Sequence, residues 1–302
     1  MSASFEATVL GGTAGLGTAL MWAVSTALWR RSVDRYSSMG LNLFKCAVGG
    51  ACLLILSAAG NGPRSLAVIF SRDGLMLTVS GILGLALGDI CFFATMKRLG
   101  AQPASVMNQL TPLWMVLIGL LAASESLSAR QYVAIPLIAL GVVLVIFGRR
   151  VENPRTEARL NGSGILFGVA ASLLTAVGFL IANPPVERVG ALMGSSVRVA
   201  SAAVALSLAS WSVDRTGFAP LLHIRSNRRE LCAVMLGTVG GVTGSLYAQA
   251  KIEPSIAISL CSTSPVFLLP IAIVFLGERY NWIAWIGTLF TIVGVPLLLI
   301  PG

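Results

Sequence analysis

Residues 110–126 read LTPLWMVLIGLLAASES, and residues 263–279 read TSPVFLLPIAIVFLGER. Each stretch is an apolar run of helix length with a proline near its start and a glutamate near its end. A single offset of 153 positions carries Pro112 onto Pro265, and the two glutamates follow the same offset. The pattern predicts a helical protein assembled from two copies of one unit.

The same offset relates further features along the whole chain. It pairs basic residues, small residues and helix-closing glycines, namely Lys45 with Arg198, Gly15 with Gly168, Gly84 with Gly237, Gly88 with Gly241 and Gly141 with Gly294. Because one offset serves without a gap, we predict two domains, residues 1–150 and residues 151–302. The charged stretch 149–159, which contains a proline, marks the boundary between them.

The composition is typical of a membrane protein. Hydrophobic residues make up 56% of the 302 positions and charged residues only 11%, whereas a soluble domain has about 25% charged residues. The net charge of +9 lies in short clusters between apolar runs, which indicates a lipid bilayer and excludes a nucleic-acid partner. Runs long enough to cross a bilayer lie near residues 9–29, 40–59, 75–96, 102–123, 130–148, 163–182, 192–211, 230–250, 255–276 and 281–300.

The predicted fold class is therefore an all-α integral membrane protein with ten transmembrane helices. Since each half holds five spans, an odd number, the second half must enter the membrane in the opposite direction to the first. Two inverted five-helix repeats are the plan of many secondary transporters, whose substrate site lies near the midplane. Basic residues concentrate in one set of loops, so the positive-inside rule predicts a multi-pass cell-membrane protein with both termini outside the cytoplasm.

Three charged residues lie within the predicted spans: Lys45, Asp89 and Arg198. Charges in such positions mark functional sites, because their burial in lipid is costly. Lys45 and Asp89 lie at similar depths and can form a buried ion pair. Alternatively, Asp89 holds a proton or a substrate amine, and Lys45 is a candidate, beside Arg198, to hold a substrate carboxylate. Arg198 has no matching acid, because Val242 occupies the position that corresponds to Asp89. It either binds a substrate carboxylate or extends its side chain to the membrane surface.

Pro112 and Pro265 fall in the middle of predicted helices, where a proline removes a backbone hydrogen bond. Each would release the carbonyl group four residues earlier, at Asn108 and at Cys261. We predict a kink at each proline, which serves either as a hinge or as a static bend.

Further polar and aromatic side chains recur at helical spacing within the spans. They either line an aqueous cavity or form hydrogen bonds between helices. Gly-x-x-x-Gly pairs such as Gly84/Gly88 predict close packing of helices. The candidates for substrate binding are Trp22, Ser25, Asn42, Lys45, Asp89, Asn108, Gln109, Trp114, Arg198, Thr243, Tyr247 and Ser262.

The two glutamates of the repeated segment, Glu125 and Glu278, invite a functional interpretation because they recur. A structural role is the simpler interpretation, because helix-capping residues follow both. Ser128 can begin a capping box before the next helix, and Asn281 can cap the helix that follows the second copy.

These repeated segments resemble the EamA-like family of the drug/metabolite transporter superfamily. In that family, a proline-containing fourth helix runs into a Gly-Glu pair, as at Gly277-Glu278, and the first copy departs from this with Ser124 in place of the glycine. A fifth helix then closes with a glycine, here Gly141 and Gly294. The resemblance implies ten spans, alternating access and the movement of a small metabolite, often an exported amino acid. Members are often described with cytoplasmic termini, the opposite of what the charge distribution of this chain predicts.

Enzymatic chemistry lacks its usual residues in this sequence. The chain has one histidine, no metal-ligand spacing and no nucleotide-binding loop, so we predict no catalytic residue, no metal and no cofactor. The predicted function is a secondary transporter that exports a small polar metabolite, best matched by amino acids. It would work as a monomer, and Asp89 makes proton coupling an option. The alternatives are another solute class (a nucleoside, a nucleotide-sugar or a drug) and, more remotely, a membrane-embedded lipid enzyme.

Overall fold

The computed structural model describes residues 3–61, 63–123, 129–150, 162–213, 215–252, 257 and 260–299. Glu125 and Ser128, and therefore the first predicted capping box, lie outside these residues. In the first half the helices are α1 (Ala3–Arg30), α2 (Ser38–Asn61), α3 (Arg72–Leu99), α4 (Ala101–Met107), α5 (Leu110–Ala123) and α6 (Ala129–Gly148). In the second half they are α7 (Gly162–Val189), α8 (Ala191–Ser212), α9 (Arg228–Lys251), α10 (Ser264–Leu276) and α11 (Trp282–Leu299).

The helical fold is confirmed, with one small addition. Arg149–Arg150 (β1) and Arg279–Tyr280 (β2) form a two-residue antiparallel pair that the all-α prediction does not include. Six helices among the described residues are long and apolar enough to cross a membrane: α1, α2, α3, α7, α8 and α9. Apolar helices of 10–17 residues occur within α6, α10 and α11.

The predicted run 102–123 is not one continuous helix. Asn108 and Gln109 form a turn between α4 and α5, and Ser262 and Thr263 form a turn directly before α10. Pro112 is thus the third residue of α5 and Pro265 the second residue of α10. The expectation of mid-helix prolines is wrong, because each lies in a first turn, where the missing N–H has no intrahelical acceptor in any case. The carbonyl of Asn108 is also not free, since the Thr111 N–H donates to it at 3.0 Å.

Two long helices contain a π-helical segment at equivalent positions of the two halves. The segments are Gly81–Gly88 within α3 and Met235–Val242 within α9. The wider winding leaves carbonyl groups available to side chains of neighbouring helices, and π-helical turns are frequent at functional sites. The Asn42 amide donates to the carbonyls of Leu85 and Ala86, both at 2.8 Å.

The helices pack in pairs that follow two-fold symmetry. α2 packs on α8 and α6 packs on α11, each a pairing of repeat-related helices, and α4 packs on α10. α1 packs on α9, and α3 packs on α7. These two contacts are equivalent, because α7 is the counterpart of α1 and α9 is the counterpart of α3. The buried apolar core lies in these contacts, for example Leu53 and Leu206 between α2 and α8, and Ile138 and Val295 at the contact of α6 and α11.

At one face of the bundle, polar contacts link the end of one helix with the start of another. We call it the basic face and define it by Arg30, Arg98, Ser163 and Glu278. There Arg30 at the end of α1 reaches Glu278, and Arg98 near the end of α3 donates to Ser163 at the start of α7, both at 3.1 Å. The Asn281 N–H donates to the Gly148 carbonyl at 2.9 Å. At the opposite face, Arg188 Nη2 bonds the Asp73 carboxylate at 2.5 Å.

Candidate functional site

A cavity of about 200 Å³ lies at the centre of the bundle, between the two halves. Its wall includes residues of α1 to α5 and of α7 to α9, together with the turn before α10. Side chains from both repeats therefore meet at one site. The predicted residues that line it are Trp22, Ser25, Lys45, Asp89, Asn108, Gln109, Pro112, Arg198 and Ser262.

Arg198 of α8 is the most deeply buried charged group of this wall. Its side chain is only 1% exposed, and its Nε has no hydrogen-bond partner among the described residues. Its Cζ lies 5.1 Å from the centroid of the Phe179 ring, and Gly84 of α3 is a neighbour of the guanidinium group. A buried guanidinium with an unpaired N–H is prepared to bind an anionic group. The alternative interpretation, in which Arg198 extends to the membrane surface, is wrong, because the side chain is buried at the wall of the cavity.

Lys45 and Asp89 form the ion pair that their depths suggest. The ammonium group of α2 contacts the carboxylate of α3 directly, and both side chains are mostly buried, at 12% and 23% exposure. Because the pair is mutually neutralised, it contributes little net charge to the cavity. Arg198 has no carboxylate within salt-bridge distance in the described part of the chain.

The two helix breaks border the same cavity. Asn108, Gln109 and Thr111 line it where α5 begins, and Ser262 and Ser264 line it where α10 begins. The first N–H groups of a helix lack intrahelical acceptors and carry a partial positive charge. Both helix N-termini thus face the central space.

Aromatic side chains form an apolar part of the wall, consisting of Trp22, Trp29, Phe92, Phe93 and Phe179. Trp22 Nε1 donates to the Gly237 carbonyl of the α9 π-helical segment at 3.0 Å, which fixes its ring. Trp29 and Phe93 stack edge to face with 5.4 Å between ring centroids. The wall suits the apolar portion of a small ligand.

Five of the predicted residues do not line the cavity. Asn42 is fully buried, and its amide donates to carbonyl groups of α3. Trp114 Nε1 donates to Ser172 Oγ at 3.0 Å. Tyr247 is 40% exposed and lies 5.6 Å from the Lys251 ammonium group. The Thr243 hydroxyl is buried without a partner among described residues, and Pro265 accepts a bond at its carbonyl from the Gln102 amide at 3.2 Å.

Several lining residues are not among the candidates for substrate binding given above, including Trp29, Phe93, Thr175, Phe179, Thr238 and Gln249, although the helical spacing of Trp29 and Gln249 already marks them as possible cavity residues. Helical spacing provides a signal for some of them. Trp29 lies on the same face of α1 as Trp22 and Ser25, and Gln249 lies one turn after Ser245. Phe179 and Phe93 have no such signal, because an aromatic residue in an apolar helix is equally compatible with lipid contact.

Glu278 connects three elements at the basic face. Its carboxylate is 7% exposed and accepts from Arg30 Nε and from the Ala101 N–H at the start of α4, both at 3.1 Å, and also from the Tyr280 hydroxyl. Gly277, at φ +68°, ends α10 in the left-handed conformation and turns the chain into this position. The predicted Asn281 cap is confirmed, since its Oδ1 accepts from the Ile283 N–H at 3.0 Å.

The family assignment comes from comparison with known proteins. A sequence model of the EamA-like transporter family matches residues 9–147 and again residues 162–300. This chain belongs to that family. As an EamA-like protein with several apolar helices, it is a multi-pass membrane protein of a transporter family, so its environment is a lipid bilayer and its substrate a small molecule.

Relatives of this EamA-like chain agree with the assignment. It is 25% identical over 288 residues to an uncharacterized transporter of Archaeoglobus fulgidus, which covers 95% of this chain and 96% of that protein. It is 24% identical over 126 residues to a pseudopaline exporter of Pseudomonas aeruginosa, covering 41% and 42% of the two chains. A solved crystal structure with 19% identity matches with a TM-score of 0.67 over 97% of this chain, which shows the fold.

Proposed function

We propose that this protein is a secondary transporter that exports a small polar metabolite, with amino acids as the best match, by alternating access. The observation that carries the proposal is Arg198, a buried guanidinium with an unpaired Nε at a cavity walled by both halves. A carboxylate is the natural partner of such a group, because it accepts two parallel N–H bonds in the same plane. The aromatic wall would hold the rest of the molecule.

Alternating access requires two arrangements of one set of helices around a fixed site. We propose ten crossings in two inverted repeats, residues 1–150 and residues 151–302. The two-fold helix pairing supports this plan, as do the polar contacts that gather alternate helix ends at the basic face. The breaks before α5 and α10, with Pro112 and Pro265 behind them, are candidate hinges because two short helices can tilt separately.

The size of the cavity favours a small solute over the larger alternatives. Sites for drug-sized ligands usually enclose about 300–1,000 Å³, whereas this cavity measures about 200 Å³. An amino acid suits that volume better than a nucleotide-sugar does. Export is the proposed direction, supported by a relative that is named as an exporter. A lipid enzyme has no supporting feature among the described residues.

Transport by the purified protein in liposomes tests the proposal. Proteoliposomes loaded with a labelled amino-acid panel should release some members faster than protein-free vesicles, with and without a proton gradient. Arg198→Gln should abolish most of this flux, because it removes the guanidinium that holds the carboxylate. Absence of flux across amino acids, organic acids and nucleosides would contradict a transport function. Equal flux in wild type and Arg198→Gln would contradict the proposed binding role.

A further inference from the structure

The charge inventory of the cavity is unbalanced. Among the described residues, the charged side chains of the wall are Lys45, Asp89 and Arg198. Lys45 and Asp89 contact each other, so their charges cancel locally. The guanidinium of Arg198 is left as one uncompensated positive charge, at a side chain that is 1% exposed. Such a charge in a poorly hydrated site stabilises a bound anion strongly.

Two helix N-termini add to the positive electrostatic potential in the cavity. α5 has 14 residues and α10 has 13, and the residues at the start of both line the cavity. A free helix N-terminus carries roughly half an elementary positive charge, and the start of α5 keeps only part of it, because only two residues separate it from the end of α4 and the Thr111 N–H already donates to the Asn108 carbonyl. Arg198 is independent evidence for an anion at this place, because its Nε has no hydrogen-bond partner in the described part of the chain.

A substrate ammonium group would find little compensation in this wall. The one carboxylate among the described lining residues, that of Asp89, is already engaged by Lys45. A zwitterion would have to compete with Lys45 for that carboxylate. The aromatic rings can attract a cation, and a desolvated contact of this type contributes about 2 kcal/mol, but the rings carry no net charge that would neutralise it.

We propose that the site selects substrates of net negative charge. These are carboxylates without an ammonium group, or amino acids that carry a second carboxylate in addition to their ammonium group. This inference rests on the proposed transport function and narrows its substrate class. Acidic amino acids and small organic acids fit this class, and neutral amino acids do not.

Pairs of an acid and its isosteric amide test the inference most directly. We would measure the stabilisation of the detergent-purified protein against thermal unfolding by glutamate and glutamine, aspartate and asparagine, and succinamate and succinamide. The same compounds would be tested for counterflow in proteoliposomes. The half-saturating concentration of the preferred acid should be at least about tenfold below that of its amide, which is typical for a charge-assisted bond.

Two variants change the charge of the wall in opposite directions, and a third keeps it. Arg198→Gln should bring the acid-to-amide ratio close to one, and Arg198→Lys, which keeps the charge, should retain part of the preference. Asp89→Asn releases Lys45 and should increase the preference for acids. Arg225→Gln is the matched control, because it removes one positive charge from an exposed position outside the cavity.

The outcomes separate the two proposals. Amides that bind and move as well as their acids would overturn the anion preference while transport itself stands. A preference that persists unchanged in Arg198→Gln and Asp89→Asn would also overturn it, because its source would lie elsewhere. If no compound on the wider transport panel binds or moves, the proposed transport function fails, and the substrate class fails with it.

Discussion

The guanidinium group of Arg198 lies over the ring of Phe179, with 5.1 Å between Cζ and the ring centroid. The ring packs against the cation at the wall of the cavity. A cation held in this way keeps its orientation without a counter-ion, because the negative face of the ring partly replaces water. The contact explains how an arginine can be 1% exposed and still have no carboxylate partner among the described residues.

Phe179→Leu should weaken the binding of a carboxylate substrate without removing it. The loss of the cation–ring contact corresponds to about 0.5–2 kcal/mol, or a roughly two- to thirtyfold higher dissociation constant. Titration of the thermal stabilisation by the best acid of the panel measures the change. Phe167→Leu is the matched control, because Phe167 lies on α7 like Phe179, its ring centroid is 4.6 Å from Cζ of Arg98 on α3, and it does not line the cavity. Equal effects of both changes would show that the Phe179 contact has no part in binding.

Lys45→Met should destabilise the protein more than the double change Lys45→Met with Asp89→Leu. The single change leaves a buried carboxylate without its partner, which typically costs roughly 3–5 kcal/mol, whereas replacing both members by apolar residues is often close to neutral. The midpoint of thermal unfolding in detergent compares the three proteins. If the double variant is no more stable than the single one, the two side chains do not depend on each other for stability.

Glu278→Gln should lower stability through loss of the charge-assisted bonds to Arg30 and to the Ala101 N–H. The glutamine amide keeps one acceptor oxygen but loses the negative charge and the second acceptor, and weakening buried bonds of this kind costs about 1–3 kcal/mol. Asp34→Asn is the control, because Asp34 contacts the same arginine at 2.9 Å but is 64% exposed, and exposed pairs contribute below about 1 kcal/mol. Thermal unfolding again provides the measurement. A larger effect at Asp34 than at Glu278 would contradict the role assigned to the buried carboxylate.

The charge distribution predicts that the basic face lies in the cytoplasm, with both termini on the other side. In a cysteine-free background, Ser226→Cys on the basic face should resist a membrane-impermeant maleimide in intact cells. Phe70→Cys, at a position 93% exposed near the opposite end of α2, should react. The reverse labelling pattern would contradict the positive-inside assignment and favour cytoplasmic termini.

The sequence was most informative where a physical requirement acts on single residues. Bilayer thickness demands long apolar runs, so α1, α2 and α3 and their counterparts were predictable from hydropathy alone. The cost of burying charge made Lys45, Asp89 and Arg198 stand out, and all three lie at the cavity. The Asn281 cap followed from local chemistry, because the acceptor and the donor are two residues apart.

Contacts between distant segments were beyond such reasoning. Asn42 lies three residues before Lys45 and shares its helix face, but it turns to the carbonyls that the π-helical segment of α3 exposes. No local pattern announces a π-helical turn. The two prolines posed a similar problem, because the sequence cannot tell a kink within a helix from the first turn of a new one.

The sequence by itself determined that this chain is a two-copy membrane protein with three charged residues inside its apolar spans, because hydropathy and an offset of 153 positions are properties of the chain alone. Only the tertiary structure decided which charges cancel. Lys45 meets Asp89 because α2 and α3 pack together, and Arg198 meets Phe179 and a cavity instead of an acid. Whether a buried charge binds a neighbouring helix or a substrate depends on what packs against it, and packing is a property of the whole fold.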